Sequence, residues 1–182
     1  MFERLAIPDV ILVTPKRHGD ARGFFSESFR ADTFEAAGIS GPFVQDNHAY
    51  SQQAGVLRGL HFQKPPAAQA KLIRCTQGAI YDVAVDIRQG SPNYGQYVGA
   101  ELTAENGKQL YVPEGFAHGY LTLTPNCHVQ YKVSSYYAPN EEGGIAWDDP
   151  DLGIAWPLDG RSVTLSEKDQ ILPKLSALAP VF

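Results

Sequence analysis

Glycine and proline interrupt this chain so often that long helices have little room: 17 glycines and 13 prolines are spread through 182 residues, with short runs rich in Val, Ile, Leu, Tyr and Phe between them. Both residues mark turns and weaken helix interiors, so the rhythm predicts many short strands, as in a sandwich or a jelly-roll barrel. The clearest run is AIYDVAVDI, where Tyr81, Val83, Val85 and Ile87 share one face while Ile80, Asp82, Ala84 and Asp86 share the other. It ends near Arg88 at the turn RQGSPNYG. VILVTP, VLRGLHFQ, AKLIRCT, QLYVP, HGYLTL and VQYKVSSYY are further strand candidates. Helical signals are few: a short helix over 32–37, capped by Asp32 and ended by Gly38, and a cap-like Ser166 before EKDQ. The expected class is therefore all-β with a few short helices, in one domain spanning residues 1–182. The strand signal at Val10–Val13 precedes the barrel-like region and is suited to pairing across a two-fold interface, which points to a homodimer.

Charge narrows the function classes. A formal net charge of −5 argues against nucleic acid as a partner, because a basic footprint is needed to displace phosphate counterions. One diphosphate can still be held by a local cluster, for which Arg22, Arg58, Lys71 and Arg74 are candidates. No apolar run reaches the length of a membrane span and the first residues lack a signal-peptide pattern, so the expected location is the cytoplasm, with no membrane partner. Cys75 and Cys127 are too few and too far apart for a disulfide framework and are read as reduced packing residues.

Two segments resemble the paired motifs of the cupin superfamily, whose barrel carries a metal on its inner wall. Gly107, Pro113, Gly115 and His118 keep the second motif's spacing, and Gly55 to His61 opens the first. Two residues beyond His61, where a metal-binding cupin places its next histidine, stands Gln63, and KPPAA supplies no glutamate. His61 and His118 alone fall short of the three protein ligands usual at a catalytic zinc, so no metal and no cofactor are expected. A barrel histidine without a metal is either a hydrogen-bonded core residue or a base, since its proton affinity near neutrality suits proton abstraction.

The runs QDNHAYS, GVLRGLHFQKPPAAQAKLIRCTQGAIYDVAVDIR, LYVPEGFAHGYLTL and GGIAWDDPDLGIAWP resemble the dTDP-4-dehydrorhamnose 3,5-epimerase family over almost the whole chain. The resemblance implies a cupin-type jelly-roll barrel acting on a dTDP-linked 4-keto-6-deoxyglucose, inverting C3 and C5 without a cofactor on the way to dTDP-L-rhamnose. It implies His61 as base, Asp169 as the carboxylate that pairs with it, Lys71 as the cation beside the ketone oxygen, and Tyr131 as acid on the opposite face, its acidity tuned by Lys71. For substrate binding it implies Arg22, Glu27, Gln45, Asn47, Arg58 and His118 around the nucleotide and pyrophosphate, Tyr137 stacked on the base, and Glu142 and Lys168 as further contacts. An enzyme inverting C3 alone, a 3,4-ketoisomerase and a catalytically inert nucleotide-sugar-binding barrel are the alternatives. In a regular strand Arg58 and His61 point to opposite faces, and a bulge at Gly59 is required to bring them into one cavity.

Overall fold

The computed structural model describes residues 1–39 and 41–182. Among these, the strands are β1 (Phe2–Arg4), β2 (Ile11–Val13), β3 (His18–Asp20), β4 (Gly23–Phe25), β5 (Gln45–Ser51), β6 (Leu57–Gln63), β7 (Lys71–Gln77), β8 (Ala79–Asp86), β9 (Tyr97–Thr103), β10 (Gln109–Val112), β11 (Phe116–Thr122), β12 (Cys127–Val133) and β13 (Glu142–Gly144), with one helix, α1 (Ala31–Ala36). They form a six-stranded sheet in the order β1-β2-β10-β7-β12-β5, a five-stranded sheet in the order β13-β6-β11-β8-β9, and the separate hairpin β3-β4. The two large sheets face each other as the walls of the jelly roll.

Alternation explains why β8 reads so clearly. Ile80 and Ala84 enter the core between the sheets with Ile73, Leu110 and Val129. Val83, Val85 and Ile87 turn outward, where Leu152, Leu175 and the partly buried Trp156 and Phe182 of the C-terminal segment cover them. Each such aliphatic burial contributes about 1.5–3 kcal/mol before entropy is charged against it. On the other sheet, Ile11, Val13, Leu72 and Tyr111 face outward and are covered by Phe34 of α1 and by Phe29 and Phe43.

Two local expectations need correction. The helix starts at Ala31 with Arg30 in the cap position, and no side chain caps it. Asp32 instead sits in the first turn, where its carboxylate binds Arg30 and the Thr33 N–H and still meets the positive helix end. Gly38 ends the helix as expected, at φ 87°. The segment expected to pair with a second chain is also occupied: β2 is hydrogen-bonded on both sides, to β1 and to β10 of its own chain. Its backbone leaves no free ladder, and the edges of that sheet are β1 and β5.

Candidate functional site

The cavity is organised by the bulge in β6. His118 pairs with His61 and Tyr120 pairs with Arg58, so two steps along β11 match three along β6. Gly59 is the residue at the irregularity, with φ 122°, and a Cβ there would lie 2.6 Å from the Gly119 Cα and 2.7 Å from the His118 carbonyl oxygen. Only glycine fits so close a backbone approach. The extra residue resolves the parity conflict, and Arg58 and His61 both line a cavity of about 420 Å³ with Lys71, His118, Tyr120, Tyr131, Lys168 and Asp169. A second hollow of about 320 Å³, lined by Gln45, Asn47, Gln63, Gln69, Tyr137 and Glu142, shares His61, Lys71 and Tyr131 with the first. Those three residues stand where the two hollows meet.

His61 Nε2 donates to the Asp169 carboxylate at 2.5 Å, so a neutral imidazole keeps its lone pair on Nδ1. Asp169 comes from a single 3-10 turn, Asp169–Ile171. Lys168 holds the cap position of this turn without a side-chain cap bond, and the cap-like Ser166 instead accepts the Asp169 N–H at 3.2 Å. Burial pushes the Asp169 carboxyl up, but hydrogen bonds from His61, Ser166 and the Gly59 N–H outweigh it and hold the carboxyl below its ordinary range. The bulge that re-aims the base thus also binds the carboxylate behind it.

Lys71 is buried, and its ammonium donates to the His61 carbonyl oxygen at 3.3 Å. Burial lowers its pKa to about 8, against the opposing pull of Asp82 and Glu142. Tyr131, on β12 beside β7, reaches the cavity from the six-stranded sheet, whereas His61 reaches it from the five-stranded sheet. Burial raises the Tyr131 phenol; the cation that opposes this is Arg58, not Lys71 as expected. The phenol and imidazole therefore approach one space from opposite walls.

Most of the expected binding residues gather here as well. Arg58 donates to the Tyr50 carbonyl oxygen at 3.1 Å and so is aimed along the cavity's edge. Gln45 donates to Asn47 at 2.9 Å and accepts the Tyr137 N–H at 3.2 Å. The Tyr137 hydroxyl bonds Glu142, which is also ion-paired with Lys168, and the Tyr137 ring is left exposed at the rim. Gln63 is buried in a structural role, bonding the Ala67 and Tyr136 carbonyls and the Ala138 N–H. Arg22 and Glu27 are the exceptions. Arg22 sits on the exposed β3-β4 hairpin, paired with Asp20, and Glu27 lines a separate groove with Phe25 and Arg30. A single chain does not bring either to the cavity.

Two residues of the site escaped sequence reasoning. Asp82 is fully buried and accepts the His118 Nε2–H at 2.9 Å, which gives the cavity a second histidine–carboxylate pair. Tyr120 stands directly opposite Asp82 on β11 and lines the cavity. The available signal was parity, since an acidic residue on the Ile80–Ala84 face of an apolar strand must point into the barrel.

Fold and site together define a cupin-type barrel whose interior is furnished for proton transfer. The model of the dTDP-4-dehydrorhamnose 3,5-epimerase family matches residues 4–177, and the chain belongs to that family. A dTDP-4-dehydrorhamnose 3,5-epimerase of Sinorhizobium fredii is 50% identical over 181 residues, covering 100% of this chain and 92% of the relative. The enzyme of that name from Salmonella typhimurium is 51% identical, covering 94% of this chain and 93% of its own length. Among solved structures, a dTDP-6-deoxy-D-glucose-3,5-epimerase from Legionella pneumophila, in complex with dTDP-4-keto-L-rhamnose, superposes with a TM-score of 0.94 at 45% identity, covering 98% of this chain and 94% of that one. A 3′-monoepimerase from Streptomyces bikiniensis, in complex with dTDP-quinovose, gives a TM-score of 0.90 at 39% identity, with 96% and 87% covered.

Proposed function

We propose that this chain epimerises dTDP-4-keto-6-deoxy-D-glucose at C3 and C5 to dTDP-4-keto-L-rhamnose, without a cofactor, in dTDP-L-rhamnose biosynthesis. The observation that carries this reading is the placement of His61 and Tyr131 on opposite walls of one cavity with buried Lys71 beside them. The C4 ketone acidifies the hydrogens on both neighbouring carbons. His61 takes a proton from one face, and the negative charge moves to the ketone oxygen. A preplaced, buried ammonium stabilises that enolate more than it stabilises the ketone, which is the condition for acceleration. Tyr131 then returns a proton from the opposite face, and the configuration inverts. Before the cycle repeats at the other carbon, His61 gives up the proton it took and the Tyr131 phenolate is reprotonated, both by exchange with solvent.

Arg58, His118, Gln45, Asn47, Tyr137, Glu142 and Lys168 are the binding set in this reading, with the Tyr137 ring for the thymine. Arg22 and Glu27 join it only in a homodimer that lays the β3-β4 hairpin of one copy over the cavity of another. Exposed Phe24 and Phe25 on that hairpin favour such contact. Residues 1–182 act as one barrel domain, since segments of the same chain cover both outer faces. No helix among the described residues is long and apolar enough to cross a membrane. The reading places the enzyme in the cytoplasm, where nucleotide sugars are made.

The test is to incubate the protein with dTDP-4-keto-6-deoxyglucose in deuterated water and follow label by NMR. Uptake at both C3 and C5 is expected. Uptake at C3 alone would establish the monoepimerase activity instead, and none at either carbon would leave a binding module. Tyr131→Phe is expected to keep proton removal while losing inversion.

A further inference from the structure

We propose that Gly55 is a positioning residue that seats the C-terminal strap of residues 162–169 against β6 so that Asp169 meets His61; this rests on the epimerase reading of the cavity. His61 and Asp169 lie 108 positions apart in the chain, yet their side chains approach to 2.5 Å. The strap that carries Asp169 is not a strand of either large sheet. It runs beside the start of β6, where Val56 and Thr164 form one parallel bridge. The Thr164 N–H donates to the Gly55 carbonyl oxygen at 2.8 Å, and the Leu57 N–H donates to the Thr164 carbonyl oxygen at 3.0 Å. Among the described residues, no other backbone–backbone hydrogen bond joins the strap to the barrel.

Gly55 decides how closely the strap can lie. It has φ 85°, and a Cβ there would stand 2.7 Å from the Ser162 carbonyl oxygen, too close for any side chain. That oxygen is backbone, so no change of rotamer relieves the contact. Nor can Gly55 retreat. Its own N–H donates to the Thr122 carbonyl oxygen of β11 at 2.8 Å, the Val56 N–H donates to the Thr122 hydroxyl at 2.9 Å, and the Val56 carbonyl oxygen accepts the Thr122 N–H at 2.9 Å. Thr122 is itself fully buried. With the barrel side pinned in this way, a side chain at position 55 displaces the strap.

Displacement there reaches the reaction centre because both members of the pair are measured from the same contact. Five positions separate Val56 from His61 along β6, and five separate Thr164 from Asp169 along the strap. A slip of one residue would present Lys168 or Gln170 to the imidazole in place of the carboxylate. The strap's far end is held through side chains, Asp169 by His61 and the Gly59 N–H and Lys168 by Glu142. Those contacts draw the charges together but leave the strap backbone free to shift. A carboxylate that aligns a base has to be placed within about 0.5 Å, and the seat at Gly55 supplies that register.

The experiment measures deuterium uptake from heavy water into dTDP-4-keto-6-deoxyglucose by the full chain, Gly55→Ala, Asp169→Asn and the double variant, with Gly90→Ala as control. Gly90 has φ 79° and a Cβ there meets nothing within 4 Å, so alanine brings comparable backbone strain without a contact. Gly90→Ala should keep uptake within about twofold of wild type, whereas Gly55→Ala should lower it by about tenfold or more. In the Asp169→Asn background Gly55→Ala should cost less than about threefold further, because the pair it aligns is already gone. A smaller loss in Gly55→Ala, an equal loss in Gly90→Ala, or a further loss above about threefold in the Asp169→Asn background overturns the proposal.

Melting separates the seat from the chemistry. Against the push of burial, the bonds from His61 and its neighbours hold the Asp169 carboxyl below its ordinary range, so it stabilises the fold above the unfolded pKa and ceases to as pH falls through the folded one. Gly55→Ala weakens those bonds. Its melting gap from wild type should therefore be widest near neutrality and narrow in acid, while the gap of Gly90→Ala stays constant with pH; two constant gaps overturn the proposal. Should Gly55→Ala fail to fold, Thr164→Pro removes the N–H given to Gly55 and loosens the strap with β6 intact, and wild-type uptake by that variant overturns it equally. Absence of deuterium uptake by the wild type would sink the epimerase reading alone, since the melting comparison does not require turnover.

Discussion

Two histidine–carboxylate pairs stand side by side in this barrel, and they differ in access rather than in chemistry. His61 and His118 are direct partners across β6 and β11. The His61 side chain is 29% exposed with its carboxylate at 3%, whereas His118 is 8% exposed with its carboxylate at 0%. Asp169 arrives from a C-terminal turn and is bound by three donors, while Asp82 arrives from an adjacent strand and is bound by one. A base must have one ring nitrogen free to meet a ligand and a stable anion to receive the imidazolium it becomes. Only the first pair has both. The second is built to hold a donor still.

The comparison predicts unequal damage. His61→Asn should lower deuterium uptake at both carbons by about 10²–10⁴-fold, the range a positioned general base supplies. Substrate binding should change little, so the loss belongs in kcat. Measured uptake within tenfold of wild type would mean that the open pair is not the base.

Asp169→Asn comes next, at a loss on the order of 10²-fold. The amide holds the ring by a weaker bond, can select the wrong tautomer, and no longer stabilises the imidazolium. Stability reports the same residue separately. Because its folded carboxyl titrates below the ordinary value, Asp169 contributes stability that is present above the unfolded pKa and lost as pH falls through the folded one. The melting gap between wild type and Asp169→Asn should therefore be widest near neutrality and close in acid; a gap that widens in acid would mean the carboxyl is not held as an anion.

Legibility in the sequence follows which face a strand presents to what. β8, β11, β7 and β10 are plain because both their faces meet apolar side chains. β5 hides because its inward residues Gln45, Asn47 and Ala49 face the cavity rather than the core, and the cavity needs polar groups. His61 was readable from a metal motif that breaks at Gln63, and the bulge was readable from a parity conflict resolved by a glycine. Lys71, Tyr131 and Asp169 were legible by resemblance, since nothing in local spacing says that residues so distant along the chain will share a cavity. Asp82 stayed hidden in its strand because its partner His118 lies 36 positions away. The misplaced helix cap shows the opposite limit: Asp32 bonds its neighbours wherever the helix starts, so its type marks the first turn but not the first residue.

His118→Asn should be the mildest of the three. The amide can still donate to Asp82, and what is lost is one ring nitrogen facing the ligand, a neutral hydrogen bond worth about three- to tenfold in kcat/KM. The change should appear mainly in KM, with uptake at C3 and C5 reduced together. A selective result would be more informative than a large one. If His118→Asn stops uptake at one carbon while His61→Asn stops it at the other, each pair serves its own carbon. The difference in access would then reflect the order in which the two protons leave rather than a division between base and scaffold.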